Sequence, residues 1–174
     1  MRRIKKIAAV ILIVSLAIFL YKPASILIFH IQEPKFLCPI DSNGGIKIRS
    51  DSYGSGEFGA KRSGGRLHLG IDIQAKIGTP VKAARSGKAY IGKQNKGMGK
   101  HIVITHPDGT QTIYGHLSKI FITNRQKVKR GDIIGEVGKT GNAWRRAILP
   151  HLHFEIRIDG EPVDPLAGYM EVKR

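Results

Sequence analysis

At 174 residues the chain has room for one folded domain with its own core and too little for two. Its single cysteine, Cys38, excludes an intramolecular disulfide framework. The formal charge of +16 suggests an acidic partner, but the Lys and Arg residues are dispersed and no nucleic-acid motif accompanies them, which argues against nucleic acid and for a wall polymer or an anionic lipid surface.

The chain opens on MRRIKK and continues as an uncharged apolar run from Ile7 to Tyr21. A basic start followed by an apolar stretch is a membrane-directing segment, assigned to residues 1–32. The run is shorter than the roughly 20 residues of a spanning helix. However, Ala24 to Ile31 extend the apolar surface, and the small pair Ala24-Ser25 behind Lys22-Pro23 makes a poor cleavage site. A retained single-pass anchor is therefore preferred to a cleaved secretory signal. The basic end stays inside, and the rest of the chain lies outside the cytoplasm. Arg2, Arg3, Lys5, Lys6 and Lys22 account for +5, leaving +11 on the remainder.

Residues 33–47 read as a linker, punctuated by Pro34, Pro39 and Gly44-Gly45. Cys38 reads as a partly buried thiol, since bulky Phe36 and Leu37 do not suit a lipid-bearing cysteine. From residue 48 to 174 the chain reads as the folded domain. Glycine is frequent, turn signals recur about every ten residues, and helical periodicity is scarce, so a mostly β unit is predicted.

One hairpin can be placed: HIVIT (His101 to Thr105) and TQTIY (Thr110 to Tyr114) flank the turn His106-Pro107-Asp108-Gly109. His116 then follows directly after a strand. A helical turn is expected within Ala143 to Leu149. The last clear strand is HLHFEIRI, with Leu152, Phe154, Ile156 and Ile158 on an apolar face. His151, His153, Glu155 and Arg157 alternate with them on a face expected to be wet.

The chemistry-bearing residues are split along the chain: His68 and Asp72 in HLGID, His116 in YGHLS, His151 and His153 in PHLHFE. Side chains i and i+2 of a strand share a face about 6.5–7 Å apart, so both histidines of PHLHFE can look into one cleft. Gly70 and its aliphatic neighbours argue against a helix through HLGID, and a bend at Gly70 would bring His68 and Asp72 to one ion. Taken singly, these are an ordinary pair of strand histidines and an ordinary turn aspartate. Together they can hold a divalent cation with three groups and leave two imidazoles for proton transfer. A mixed N/O set suits Zn²⁺ with an open position, where water acquires a pKa near about 7. No HExxH is present, so the base comes from elsewhere, and histidine is the side chain best poised for it. His30, His101 and His106 receive no role.

HLGID, YGHLS and PHLHFE, in this order, resemble the three signatures of the LytM/lysostaphin-type M23 metallopeptidases. The similarity extends to SDSYGSG with Phe58-Gly59-Ala60, to GTPV at Gly78–Val81 and to VKRGDIIG at Val128–Gly135, covering about Ile48 to Pro165. The resemblance implies a twisted two-sheet antiparallel β fold with a long substrate groove. It implies His68, Asp72 and His153 as zinc ligands and His116 and His151 as the catalytic pair around the metal-activated water, with the general base undecided between those two. It also implies a zinc endopeptidase that cuts peptidoglycan stems or cross-bridges in the cell envelope. The alternative is a silent wall-binding regulator of other hydrolases. The loop before PHLHFE is longer than the family's usual one and carries Trp144, Arg145 and Arg146, which border the implied substrate groove and either contact substrate or simply pack and face solvent. Some enzymes of that family are held latent by a segment over the cleft, and Asp41 or Asn43 of the lead-in could cap the metal in that way, but the segment reads rather as a tether from the membrane.

Overall fold

The computed structural model describes residues 2–41 and 45–171, in two compact units divided at Pro34 and Lys35. The first unit is a helix, α1 (Arg2–Gln32). It does not stop at Tyr21 but runs through Lys22 and Pro23, at the cost of one N–H bond where the proline sits. Its Val10–Gln32 stretch, with a mean hydropathy of 2.2, is long and apolar enough to cross a membrane. At 1.5 Å per residue that is about 34 Å against a hydrocarbon core of about 30 Å.

The second unit is built from short strands: β1 (Phe36–Leu37), β2 (Ser50–Asp51), β3 (Gly54–Ser55), β4 (Ile71–Gln74), β5 (Pro80–Lys82), β6 (Gly87–Lys93) and β7 (Lys100–Thr105). They continue as β8 (Gln111–Gly115), β9 (Lys119–Ile120), β10 (Lys127–Val128), β11 (Ile133–Glu136), β12 (His151–Ile158), β13 (Glu161–Val163) and β14 (Met170–Glu171). The main sheet runs β10-β6-β7-β8-β12-β13, with β4 also paired to β12, and a second sheet runs β5-β11-β9. Two small two-stranded sheets, β1-β14 and β2-β3, accompany them, and the architecture is the expected mostly β one with two principal sheets. Pairing is antiparallel throughout the described strands except for β1, which lies parallel to β14.

The predicted hairpin is β7 and β8, joined by a turn in which Gly109 has φ +86°. Strand β12 is central: β4 flanks its first half on one edge, and β8 flanks it from His153 to Arg157 on the other. Leu152, Phe154 and Ile156 are fully buried, against Ile71, Ile73, Ile102, Ile104 and Tyr114. Burial of this face drives the register, because a slip of one residue would turn every apolar side chain of β12 outward.

Three local expectations differ from what forms. The face of β12 expected to be wet is buried too, with His151, His153 and Glu155 at 3%, 7% and 1% exposure, because their polar atoms are paired within the fold. The helical turn before β12 is a 3-10 turn earlier in the chain, at Gly141–Trp144. Phe36, Cys38 and Ile40, inside the segment read as a linker, are core residues.

Candidate metal centre

The pairing register builds the site. On β12, His153 stands opposite Asp72 of β4 on one side and Gly115 of β8 on the other. His116 is the next residue after β8, in a left-handed conformation with φ 63°, a backbone state uncommon outside glycine and found at functional positions. It is held there by its N–H donating to the Met98 carbonyl at 2.7 Å. His68 lies before β4, clamped by two backbone bonds to Gly59 and Ala60. The chain bends between His68 and Asp72 at Gly70, where a Cβ would collide with the Phe154 carbonyl.

These placements bring His68 Nε2, Asp72 Oδ1 and His153 Nδ1 to 3.0 Å from one another. The other ring nitrogens define the tautomers. His68 Nδ1 donates to the Glu57 carbonyl at 2.8 Å, and His153 Nε2 donates to Glu155 Oε1 at 2.9 Å. With both rings neutral, three lone-pair-bearing atoms face one another in a buried place, an arrangement that a cation between them would stabilise. Zinc bonds of about 2.0–2.1 Å set tetrahedral ligand atoms about 3.3–3.4 Å apart, within a few tenths of an ångström of this triangle. The donor set fits a divalent cation.

The second carboxylate oxygen of Asp72 takes Arg49 Nη2 at 3.0 Å and Arg62 Nη2 at 3.2 Å, so Oδ1 is left to the histidines. Burial opposes the charge on Asp72, but its close contacts with His153 and His68 and the nearby His151 outweigh it and hold the carboxyl well below its usual range. Burial alone would lower His153. Its bonds and charge interactions with Asp72 and Glu155 raise it instead, to about 9. The second ring proton of His153 is thus held on Nδ1, donated to Asp72 Oδ1 at 3.0 Å, and its loss frees that nitrogen as a ligand.

His116 and His151 flank the trio, their ring centroids 4.9 Å apart. Each donates from Nδ1 to a backbone carbonyl, His116 to Thr140 at 2.8 Å and His151 to Leu149 at 2.7 Å, which leaves both Nε2 atoms as acceptors. Burial, then the neighbouring His151 and His153, pushes His116 down to about 3, and burial lowers His151 as well. Both rings are neutral bases near pH 7.

All five predicted chemical residues meet here. Trp144, at 70% exposure, and exposed Arg145 and Arg146 stand on the loop before β12, with the Arg145 guanidinium 5.6 Å from the Tyr53 ring. Asp41 pairs with Lys82 at 2.5 Å rather than capping the site, and Asn43 lies outside the described residues. Sequence reading missed Arg49, Arg62 and Glu155. Only Glu155 carried a signal, as the residue two beyond His153 on the same strand face.

A profile described as Peptidase family M23 matches residues 66–165. The DD-carboxypeptidase/endopeptidase Mpg of Neisseria meningitidis serogroup B is 43% identical over 102 residues, covering 59% of this chain and 23% of that protein. The peptidoglycan DD-endopeptidase ShyA of Vibrio cholerae serotype O1 is 39% identical over 99 residues, covering 57% of this chain and 22% of ShyA. The chain thus spans less than a quarter of the length of these relatives. The crystal structure of a zinc-containing peptidase from Vibrio cholerae superposes with a TM-score of 0.65 at 34% identity, over 80% of this chain and 41% of that one.

Proposed function

The chain belongs to peptidase family M23, and from that premise we propose that it is a zinc-dependent endopeptidase hydrolysing peptide bonds in peptidoglycan stems or cross-bridges. The observation that carries this reading is the buried convergence of three acceptor atoms, from His68, Asp72 and His153, beside two further imidazoles. Those three are the proposed ligands. When bound, zinc supplies Lewis acidity and lowers the pKa of water toward about 7.

His116 and His151 are the proposed catalytic pair. With both Nδ1–H groups spent on carbonyls, the resting site holds two bases and no imidazole acid. The acid that protonates the leaving amine is therefore the imidazole that has taken up a proton at Nε2 from the attacking water. The carbonyls of Thr140 and Leu149 keep each ring in that tautomer throughout, and they steady the imidazolium that forms.

The unit from Lys35 onward is the proposed peptidase domain. Helix α1 is its single-pass anchor, holding it outside the cytoplasm in the cell envelope, and Trp144, Arg145 and Arg146 contact the wall peptide. Support comes from the name of ShyA, a peptidoglycan endopeptidase, and from the zinc in the Vibrio cholerae structure. The test is incubation of purified peptidoglycan with the protein, with chelator, and with chelator followed by zinc, with products read by mass spectrometry. New amino termini that vanish with chelator and return with zinc are expected. Wall binding without any cleavage by the zinc-loaded protein would replace this reading with that of a regulator.

A further inference from the structure

Lys93 and Lys100 stand directly opposite each other across the antiparallel strands β6 and β7. Like charges in that position are destabilising. Nothing local offsets them: among the described residues, no carboxylate forms an ion pair with Lys93, Lys100 or Lys139. All three line one open depression of about 340 Å³, together with Gln94, Asn95 and the exposed indole of Trp144, and no acidic residue lines it.

Two of the cations are also held in place. Lys100 Nζ donates to the Ser118 carbonyl at 2.7 Å, and Lys139 Nζ to the Arg145 carbonyl at 2.9 Å. An ammonium has three N–H donors; Lys139 also donates to the Arg146 carbonyl at 3.4 Å, so it keeps one donor and Lys100 two for a ligand, each at a position set beforehand. The depression also shares a residue with the metal centre. Thr140 lines it and takes the Lys100 backbone N–H on Oγ1 at 2.9 Å, while its carbonyl takes the His116 Nδ1–H. A repulsive, preset and uncompensated set of cations next to a candidate catalytic ring is a place where fold stability has been traded for binding.

We propose that this depression is an anion subsite that seats a free carboxylate of the wall peptide beside the bond to be cut, with Trp144 as its apolar wall. The proposal rests on the peptidoglycan reading and names the charge of the substrate that the reading leaves open. It makes Lys93 and Lys139 specificity-determining residues, and it predicts a preference for peptides whose side carboxylates are free over those in which they are amidated.

The test separates this idea from hydrolysis. Detergent-solubilised full chain, kept metal-free with chelator, is sedimented with sacculi stripped of phosphate polymers, either untreated or with their carboxyl groups chemically amidated. Amidation is expected to weaken binding of the unaltered protein by about tenfold, the loss of one to two charge contacts. Lys93→Gln/Lys139→Gln should bind untreated sacculi about as weakly and ignore amidation. Lys93→Glu, a change at an exposed position, should shift the preference toward the amidated wall. If the double variant keeps the full preference, the overall charge of the protein is responsible and the subsite is refuted. It is equally refuted if amidation has no effect, or if only unstripped, phosphate-bearing walls are bound. Failure of the zinc-loaded protein to cleave would sink the enzyme reading while leaving this binding result intact.

Discussion

Whether the metal trio works as a seat depends on hydrogen atoms placed one bond further out. Glu155, buried and paired with Arg157 Nη2 at 2.8 Å, is a carboxylate whose acceptor oxygen keeps the His153 proton on Nε2. Glu155→Gln halves that grip, because an amide can present its NH₂ group as well as its oxygen. Zinc affinity should fall by roughly 10–100-fold, as outer partners of ligating histidines usually show, measured by competition with a chromophoric chelator; unchanged affinity would mean His153 is oriented by packing alone. A pH signature follows from the same residue. His153 is raised from 6.5 to about 9 in the metal-free fold, so the stability it contributes is fully present below about pH 6.5 and is lost as pH rises through about 9. His116 and His151, depressed by burial, titrate below that window. With chelator present, the denaturation midpoint should therefore decline from pH 6.5 to 9, and zinc loading near pH 7.5 should release roughly one proton; a flat profile contradicts the His153–Asp72 pairing. At this scale the five residues that converge were legible because each sits in a short motif, with strand spacing joining His151 to His153 and a bend joining His68 to Asp72. Arg49 and Arg62 were not, since they reach Asp72 only after separate loops fold over β4.

At the level of elements, β12 and β4 carry the site, and their close approach depends on one missing side chain. Gly56 and Arg49 hold the Asp72 backbone from one edge, and β12 holds it from the other, so β4 cannot retreat. A methyl group at position 70 meets backbone, not a flexible tip. Gly70→Ala should therefore cost about 1–3 kcal/mol, the range for overpacking, and should weaken zinc binding as well by moving His68 relative to Asp72. Lower stability with intact zinc affinity would show that the bend and the seat are independent. The same edge links β2 to His151: Arg49 bridges Asp72 and Asp51, Asp51 accepts the Leu149 N–H at 3.0 Å, and the Leu149 carbonyl anchors His151. Alternation along HLHFEIRI revealed the strand and its apolar face. It did not reveal that the polar face is covered, because period-two patterning reports chemistry and not what packs above it. The turn before β12 was placed too late because it begins at Gly141, whose φ of +62° allows the close approach to Gly99; such a contact leaves no helical periodicity to read.

Across the whole molecule, what remained illegible was where the folded unit begins. Pro34, Pro39 and the paired glycines read as punctuation, yet Phe36, Cys38 and Ile40 alternate along the same segment, and that pattern is the one the fold uses. All three are buried, at 4%, 9% and 5% exposure, and Phe36-Leu37 pair in parallel with Met170-Glu171, so the lead-in closes the domain against its far end. Burying side chains of this size contributes about 1.5–3 kcal/mol each as an upper estimate, against a total stability of about 5–15 kcal/mol for a domain. Cutting the chain at residue 48 should therefore remove a large part of its stability, whereas cutting at residue 35 keeps every strand. The measurement is a pair of thermal melts with zinc present. The fragment 35–174 should show one cooperative transition, and 48–174 should melt at least about 10 °C lower, given about 2–5 °C per kcal/mol for a unit of this size. Equal midpoints would mean that β1 rides on the domain without holding it, and the peptidase unit would then begin after the glycine pair.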